Sequence, residues 1–290
     1  MKNQRSETVK SKTFQIIGDA KIQQLIDRLD QSNEHYLLVE TNSSVKIKIP
    51  ELKLTYMCTP DYMSFKNWGT LASIKSHLKK SGLIETLPKI DRREIQYFKF
   101  RNCMYFDKNS KRGEVREFEN VAEYDISGAY IQAAHNLGIL TAENFKKLKD
   151  GPKANRLKIL GALATVKTEY YIHKGEVIDE GIVTDKALRN IWFNIVLSVD
   201  KVISKAFETL GPSALFYYVD NIYFKYDELK ASKLVEYFKN HNFELKHVPL
   251  ERFFLYNSRR GPVAVVKREG QELKTFYIPH KKTINYEIRS

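Results

Sequence analysis

Two acidic residues stand inside short runs that otherwise read as buried β-strand. One run is Tyr124-Asp125-Ile126-Ser127-Gly128-Ala129-Tyr130, and the other is Tyr217-Tyr218-Val219-Asp220-Asn221-Ile222-Tyr223-Phe224. β-branched and aromatic residues of this kind suit a pleated, half-buried surface. A carboxylate among them is costly to bury unless a cation comes to meet it. Asp125 and Asp220 therefore belong at strand ends, where an acid can leave the packed face. Two carboxylates converging from separate strands can share a pair of divalent ions, and such a pair can hold a phosphate chain for in-line attack. On this reading the two carboxyl groups lie within about 5 Å of each other, because paired ions sit about 3.5–4 Å apart and share ligands.

The pattern around these runs describes their scaffold. Ile22, Leu25, Ile26 and Leu29 recur with helical period, and Leu71–Leu78 reads as a second helix ended by Ser81-Gly82. Tyr36–Val39 and Val45–Ile49 read as strands across the turn-rich Thr41-Asn42-Ser43-Ser44. A basic stretch, Lys89–Arg93, marks a boundary near residue 90, so that residues 1–90 form an N-terminal α/β region and residues 91–290 the remainder. Tyr97–Phe106 and Glu114–Phe118 bracket a turn signal and are expected to pair as a hairpin. Thr141 caps a helix through Leu148, and Pro152 opens another that runs to about Thr168. Leu188, Ile191, Trp192, Ile195, Val199, Val202, Ile203, Phe207 and Leu210 form one apolar stripe, stopped by Gly211-Pro212. Ala214–Val219 and Ile222–Lys225 flank Asp220-Asn221, which reads as a two-residue hairpin turn because Asn and Asp tolerate positive φ. Leu229–Asn240 is helical, and Phe243–Val248 and Arg252–Tyr256 are strands. The whole describes an α+β design, an antiparallel sheet backed by helices.

Bulk properties narrow the class. At 290 residues the chain can hold one large domain or two small ones. Its apolar runs fall far short of the roughly 20 residues that cross a bilayer, so no membrane is expected. Residues 1–13 are polar and basic and read as a solvated arm rather than a signal peptide. Cys58 and Cys103 lack metal-binding or redox spacing and read as free thiols in a reducing cytoplasm. A net charge of +13 favours a polyanionic partner, nucleic acid being the commonest.

The two acidic segments resemble polymerase motifs of family B DNA polymerases, in particular the protein-primed and mobile-element branch. Asp125 and Tyr130 match the family's D-x-x-S-L-Y-P motif, with Gly128, Ala129 and Ile131 at its Ser, Leu and Pro positions. The Y-x-D-T-D-S-I motif falls on Phe216 to Ile222; its second, metal-binding Asp is Asp220, while Tyr218 and Asn221 replace its first Asp and its Ser. The stretch from Lys158 to Lys167 is similar to the K-x-x-x-N-S-x-Y-G helix in its lysines only. Ser258-Arg259-Arg260-Gly261-Pro262 with Val263–Lys267 resembles the primer-gripping region. The resemblance covers roughly residues 97–280.

This resemblance implies a polymerase palm with reduced fingers. It implies that Asp125, Asp220 and the backbone carbonyl of Ile126 hold two Mg²⁺, with Mn²⁺ able to substitute. Tyr130 would lie under the sugar and exclude a 2′-hydroxyl. Lys158, or Arg156 and Lys153 one turn earlier, would face the triphosphate, and Arg259, Arg260 and Lys267 would contact DNA. The implied partners are a DNA template-primer, dNTPs, and a second protein or oligomer supplying what the short fingers and absent thumb do not. The implied setting is the cytoplasm, for a protein of bacterial, viral or mobile-element origin.

Leu37-Leu38-Val39-Glu40-Thr41 partly resembles the D-x-E-T motif of the family's proofreading exonuclease, but Leu38 stands at the Asp position, so no exonuclease is expected. A reverse-transcriptase-like polymerase is the alternative: Asp125, Ala129 and Tyr130 fit D-x-x-x-A-Y, and Tyr218 to Asn221 fit Y-x-D-D with the last Asp changed. A palm that binds nucleic acid or a partner without catalysis is the third reading. It sits poorly with the retention of both acids, since unpaired buried carboxylates destabilise a fold that has no use for them.

Overall fold

The computed structural model describes residues 15–17, 19–41, 44–58, 62–90, 101–103, 105–106, 110–164 and 166–278. The N-terminal arm, the basic stretch beyond Ile90, the start of the Tyr97–Phe106 segment, residues 107–109 and the basic cluster at 280–282 lie outside the described residues, as does the Cys58 side chain.

In chain order, β1 (Gln15–Ile17) leads to α1 (Asp19–Gln31) and then to β2 (His35–Thr41), β3 (Ser44–Ile49) and β4 (Leu54–Cys58). α2 (Tyr62–Ser81) and the single turn α3 (Leu83–Thr86) follow, joined at Gly82, whose φ of 69° suits a helix stop. β5 (Arg101–Cys103), β6 (Val115–Glu117) and β7 (Val121–Ile126) precede α4 (Ala129–Asn136), α5 (Ala142–Lys149) and α6 (Lys153–Gly161). Next come β8 (Val166–His173), β9 (Glu176–Thr184) and the long α7 (Lys186–Thr209). The chain closes with β10 (Ala214–Tyr218), β11 (Asn221–Lys225), α8 (Glu228–Asn240), β12 (Leu245–Val248), β13 (Leu250–Ser258), β14 (Gly261–Arg268) and β15 (Lys274–Tyr277).

The chain folds as two compact units, Met1–Thr86 with Lys146–Trp192, and Leu87–Phe145 with Phe193–Ser290. The first unit is built on a six-stranded sheet of order β1-β4-β3-β2-β8-β9, antiparallel except for the β1–β4 pair. β2 is the hinge of its topology, since it pairs with β3 beside it in sequence and with β8 from far along the chain. One sheet face packs Tyr36, Ile47, Ile49 and Ile172 against Ile22, Leu25, Ile26 and Leu29 of α1, which is the apolar period that defines that helix.

The second unit holds two antiparallel sheets, five-stranded β12-β7-β11-β10-β5 and four-stranded β15-β14-β13-β6. Phe216 and Tyr223 of the first pack on Phe253, Leu255, Ala264 and Val266 of the second. The opposite face of the five-stranded sheet meets α7, where Phe207 lies edge-on to Tyr217 at 5.1 Å. The buried stripe of α7, including Ile195, Val199, Ile203 and Phe207, is the one the sequence shows. The mixed α+β class with antiparallel sheets is thus established.

Three local expectations are corrected. The helix opened by Pro152 ends at Gly161 rather than near Thr168, and the β-branched and aromatic run after it forms β8. The segments at 101–106 and 114–118 do not pair as a hairpin: β5 joins β10 and β6 joins β13, so each lies in a different sheet. Tyr105 lies edge-on to Phe118 at 4.9 Å, an aromatic contact between the two segments. The third correction, at the β10–β11 turn, bears on the site itself.

Candidate active site

One row of residues crosses the five-stranded sheet in register: Lys246 opposite Asp125, Asp125 opposite Asn221, Asn221 opposite Tyr218, and Tyr218 opposite Arg101. Directly opposed residues project from the same face, so an acid, an amide, a phenol and two cations share one edge of the sheet. Asp125 is next to last in β7, and the chain then turns at Ser127-Gly128 into α4. Gly128 carries φ 61° there, which lets a strand pass directly into a helix.

The β10–β11 turn is Val219-Asp220, one residue earlier than Asp220-Asn221. Val219 takes φ 61°, an unusual conformation for a β-branched residue, and Asn221 becomes the first residue of β11, paired with Tyr218. The shift leaves Asp220 at the turn tip and places Asn221 in the row beside Asp125. The Ile126 N–H donates to the Asp220 carbonyl at 2.9 Å, which pins the turn to the end of β7. The backbone at Asp220 is therefore held beside the end of β7 by pairing of elements that lie far apart in sequence.

Behind Asp125 lies a charged network that the sequence reading passed over. Asn221 Nδ2 donates to Asp125 Oδ1 at 2.8 Å and to Glu123 Oε1 at 2.9 Å. Glu123 is fully buried, and Arg268 from β14 grips it with two nitrogens, Nε at 2.8 Å from Oε2 and Nη2 on Oε1. Burial pushes the Glu123 carboxyl up, Arg268 pulls it down, and Asp125 adds to the rise. The spacing of Glu123 and Asp125, two residues apart on a strand, marks them as neighbours on one face.

Tyr130 stands in the first turn of α4. Burial, then the negative charge of Asp220, pushes its hydroxyl up to about 12, while Arg101 acts the other way and Asp200 raises it further. Tyr130, Asp220, Arg101 and Asp200 thus share one electrostatic neighbourhood. Burial depresses Arg101, whose guanidinium lies 4.1 Å from the centre of the Tyr218 ring and donates to the Tyr277 carbonyl at 3.3 Å. Asp200, buried on α7, accepts from the Tyr217 hydroxyl at 3.3 Å. Its sequence signal was an acid interrupting the apolar stripe between Val199 and Val202; Arg101 offered no such signal.

Asp125, Ile126, Tyr130 and Asp220 all belong to the second unit, where the Asp220 carbonyl meets the Ile126 N–H and the Asp220 charge acts on Tyr130. Lys153, Arg156 and Lys158 belong to the first, on α6, where Lys153 and Lys158 are exposed and Arg156 Nε donates to the Gly151 carbonyl at 3.2 Å. Arg259 and Arg260 are exposed at the β13–β14 turn, about 25 Å of extended strand from Arg268. Lys267 is exposed and pairs with Glu251 at 2.5 Å.

Among the described residues no group of three or more His, Cys, Asp or Glu side chains is gathered for a metal. Mg²⁺ commonly takes one or two protein carboxylates and completes its shell with water and substrate phosphates, so the hard oxygens of Asp125 and Asp220 are a donor set of the right kind. Comparison of the sequence with family models and with curated proteins finds no match. No helix among the described residues is long and apolar enough to cross a membrane.

Proposed function

We propose that the second unit is a polymerase palm and that the chain is a template-directed nucleotidyltransferase, adding dNTPs to a 3′-hydroxyl or to a protein hydroxyl, of the family B DNA polymerase kind. The observation that supports this reading is the hydrogen bond from Ile126 N–H to the Asp220 carbonyl, which ties the turn bearing Asp220 to the end of the strand bearing Asp125. Two acids on segments so tied, at one end of an antiparallel sheet backed by α7, would supply ligands for Mg²⁺. Bound Mg²⁺ would activate the attacking hydroxyl and offset charge on the transferring phosphate. Arg101 and Lys246, at the two ends of the row that holds Asp125, would offer cations to a triphosphate from within the unit. Tyr130, beside Asp220, presents a part-buried ring where a sugar would pass.

The experiment is incorporation of labelled dNTPs with Mg²⁺ on primed DNA, unprimed DNA and primed RNA. Asp125→Asn or Asp220→Asn should each lower incorporation about 10²-fold or more with the fold intact. Preference for the RNA template would favour the reverse-transcriptase-like alternative. Wild-type protein inactive on every template would reject catalysis and leave a binding palm.

A further inference from the structure

The six-stranded sheet of the first unit ends at β9, which pairs with β8 on one side. Among the described residues no backbone hydrogen bond outside that ladder reaches β9. In an antiparallel pair every second residue turns its N–H and C=O away from its neighbour, so an end strand presents a row of unpaired backbone groups. The side chains of β9 are as open as its backbone. Val177, Ile178, Ile182 and Val183 are 56%, 59%, 75% and 41% exposed, four apolar residues on one strand. A side chain at Gly181 would meet no atom within 4 Å of its Cβ.

The register sets which length can take another strand. Asp179 lies opposite Tyr171 and Val177 opposite Ile172, so Ile178 is an extra residue, a bulge that interrupts regular pairing. From Asp179 to Thr184 the register is unbroken, close to the usual length of a strand. Within it, Glu180 and Ile182 lie opposite Tyr170 and Thr168 on the α1 face, while Asp179 and Val183 lie opposite Tyr171 and Lys167 on the other. Each face of the edge therefore offers one acid and one apolar side chain.

Charge decides the kind of strand that fits. β9 carries Glu176, Asp179 and Glu180 and no Lys or Arg, in a chain of net charge +13. Among the described residues no ion pair engages these acids. A second copy of β9 would add acids to acids along the shared edge, and like charges across a strand pair are destabilising. The same acids turn away a phosphate backbone. A strand with cations beside Asp179 and Glu180 and apolar residues beside Ile182 and Val183 gains at all four positions.

We propose that the free edge of β9 from Asp179 to Thr184 is a docking site for an extended basic segment of a partner protein, which joins the sheet as an antiparallel seventh strand with Lys or Arg beside Asp179 and Glu180 and apolar side chains beside Ile182 and Val183. The inference goes beyond the polymerase reading and does not rest on it.

The test is fluorescence anisotropy of a labelled peptide of pattern S-V-V-T-K-K-S with full-length protein. Nucleic acid, dNTP and divalent ion are left out, so the result stands whether or not the palm incorporates nucleotides. Paired antiparallel, the peptide sets its valines opposite Val183 and Ile182 and its lysines opposite Glu180 and Asp179. Changing both peptide lysines to glutamate should weaken binding about tenfold or more. N-methylating alternate amides of the basic peptide should abolish binding in one phase and spare it in the other, because only alternate amides face β9. Both results use the wild-type protein and stand even if a variant fails to fold. The double variant Asp179→Lys, Glu180→Lys should reverse the preference and select the acidic peptide. Equal binding of the two peptides, binding of neither, indifference to N-methylation in both phases, a folded variant that keeps the wild-type preference, or a wild-type dimer that Ile182→Lys dissociates would overturn the proposal.

Discussion

Asn221 spans two acids, donating to Asp125 at 2.8 Å and to Glu123 at 2.9 Å from a single amide nitrogen. An amide is the residue type suited to that position, because it offers hydrogens to both carboxylates and adds no charge of its own. It couples Asp125 at the sheet edge to the Glu123–Arg268 pair in the interior. The orientation of Asp125 is thereby tied to the packing of one sheet on the other.

Asn221→Asp puts a third carboxylate between the other two. Like charges at hydrogen-bond distance raise each other's pKa and destabilise the fold. A cost of about 2 kcal/mol corresponds to a Tm lowered by roughly 4–8 °C. Thermal unfolding should show that loss, and Mg²⁺ should raise the Tm of the variant more than that of the wild type.

Arg268→Met strands the fully buried Glu123 without its cation, which costs about 3–5 kcal/mol. Glu123 is already pushed up by burial, and loss of Arg268 removes the principal opposing influence. A carboxyl raised in the folded state binds its proton to higher pH than it does unfolded, so the variant should be most stable in acid and weaken as pH climbs past the ordinary glutamate range. Urea unfolding across pH checks this, and adding Glu123→Gln should recover much of the loss.

Tyr130→Ala should open the sugar position in the proposed palm and lower the preference for dNTPs over rNTPs about tenfold or more. Tyr130→Phe keeps the ring and should keep the preference. Competition between labelled dNTP and rNTP measures both, and equal incorporation by the wild type would remove Tyr130 from that role.

Lys46 contributes a pH dependence of the opposite sense to Glu123. Its folded pKa of about 7 lies below the ordinary value of 10.5, because burial and the charges of Lys167, Lys48 and Lys75 oppose its protonation, with Glu169 as the acid on the same face. Between those two values the unfolded chain binds the extra proton, so stability rises with pH across that window. Lys46→Met should raise the Tm at neutral pH and flatten the rise, as followed by thermal unfolding at stepped pH.

The sequence alone determined the elements whose reasons are local. The stripe from Leu188 to Leu210 specifies α7, Thr141 caps α5 by accepting from Asn144 N–H at 3.2 Å, and Gly82 and Gly211 mark helix ends. Alternation and composition marked Asp125 and Asp220 as acids that had to leave a strand, and one lies near the end of β7 while the other tips a turn. What only the tertiary structure decided depends on partners remote in sequence. The choice of Val219 over Asn221 for the positive φ follows from the register that pins the turn to Ile126, against the local preference of both residues. Arg268 finds Glu123 145 positions away, and β8 finds β2 across nearly half the chain. Long-range pairing is settled by which faces can be buried together, and the period of a strand says that it has a face to bury without saying against what.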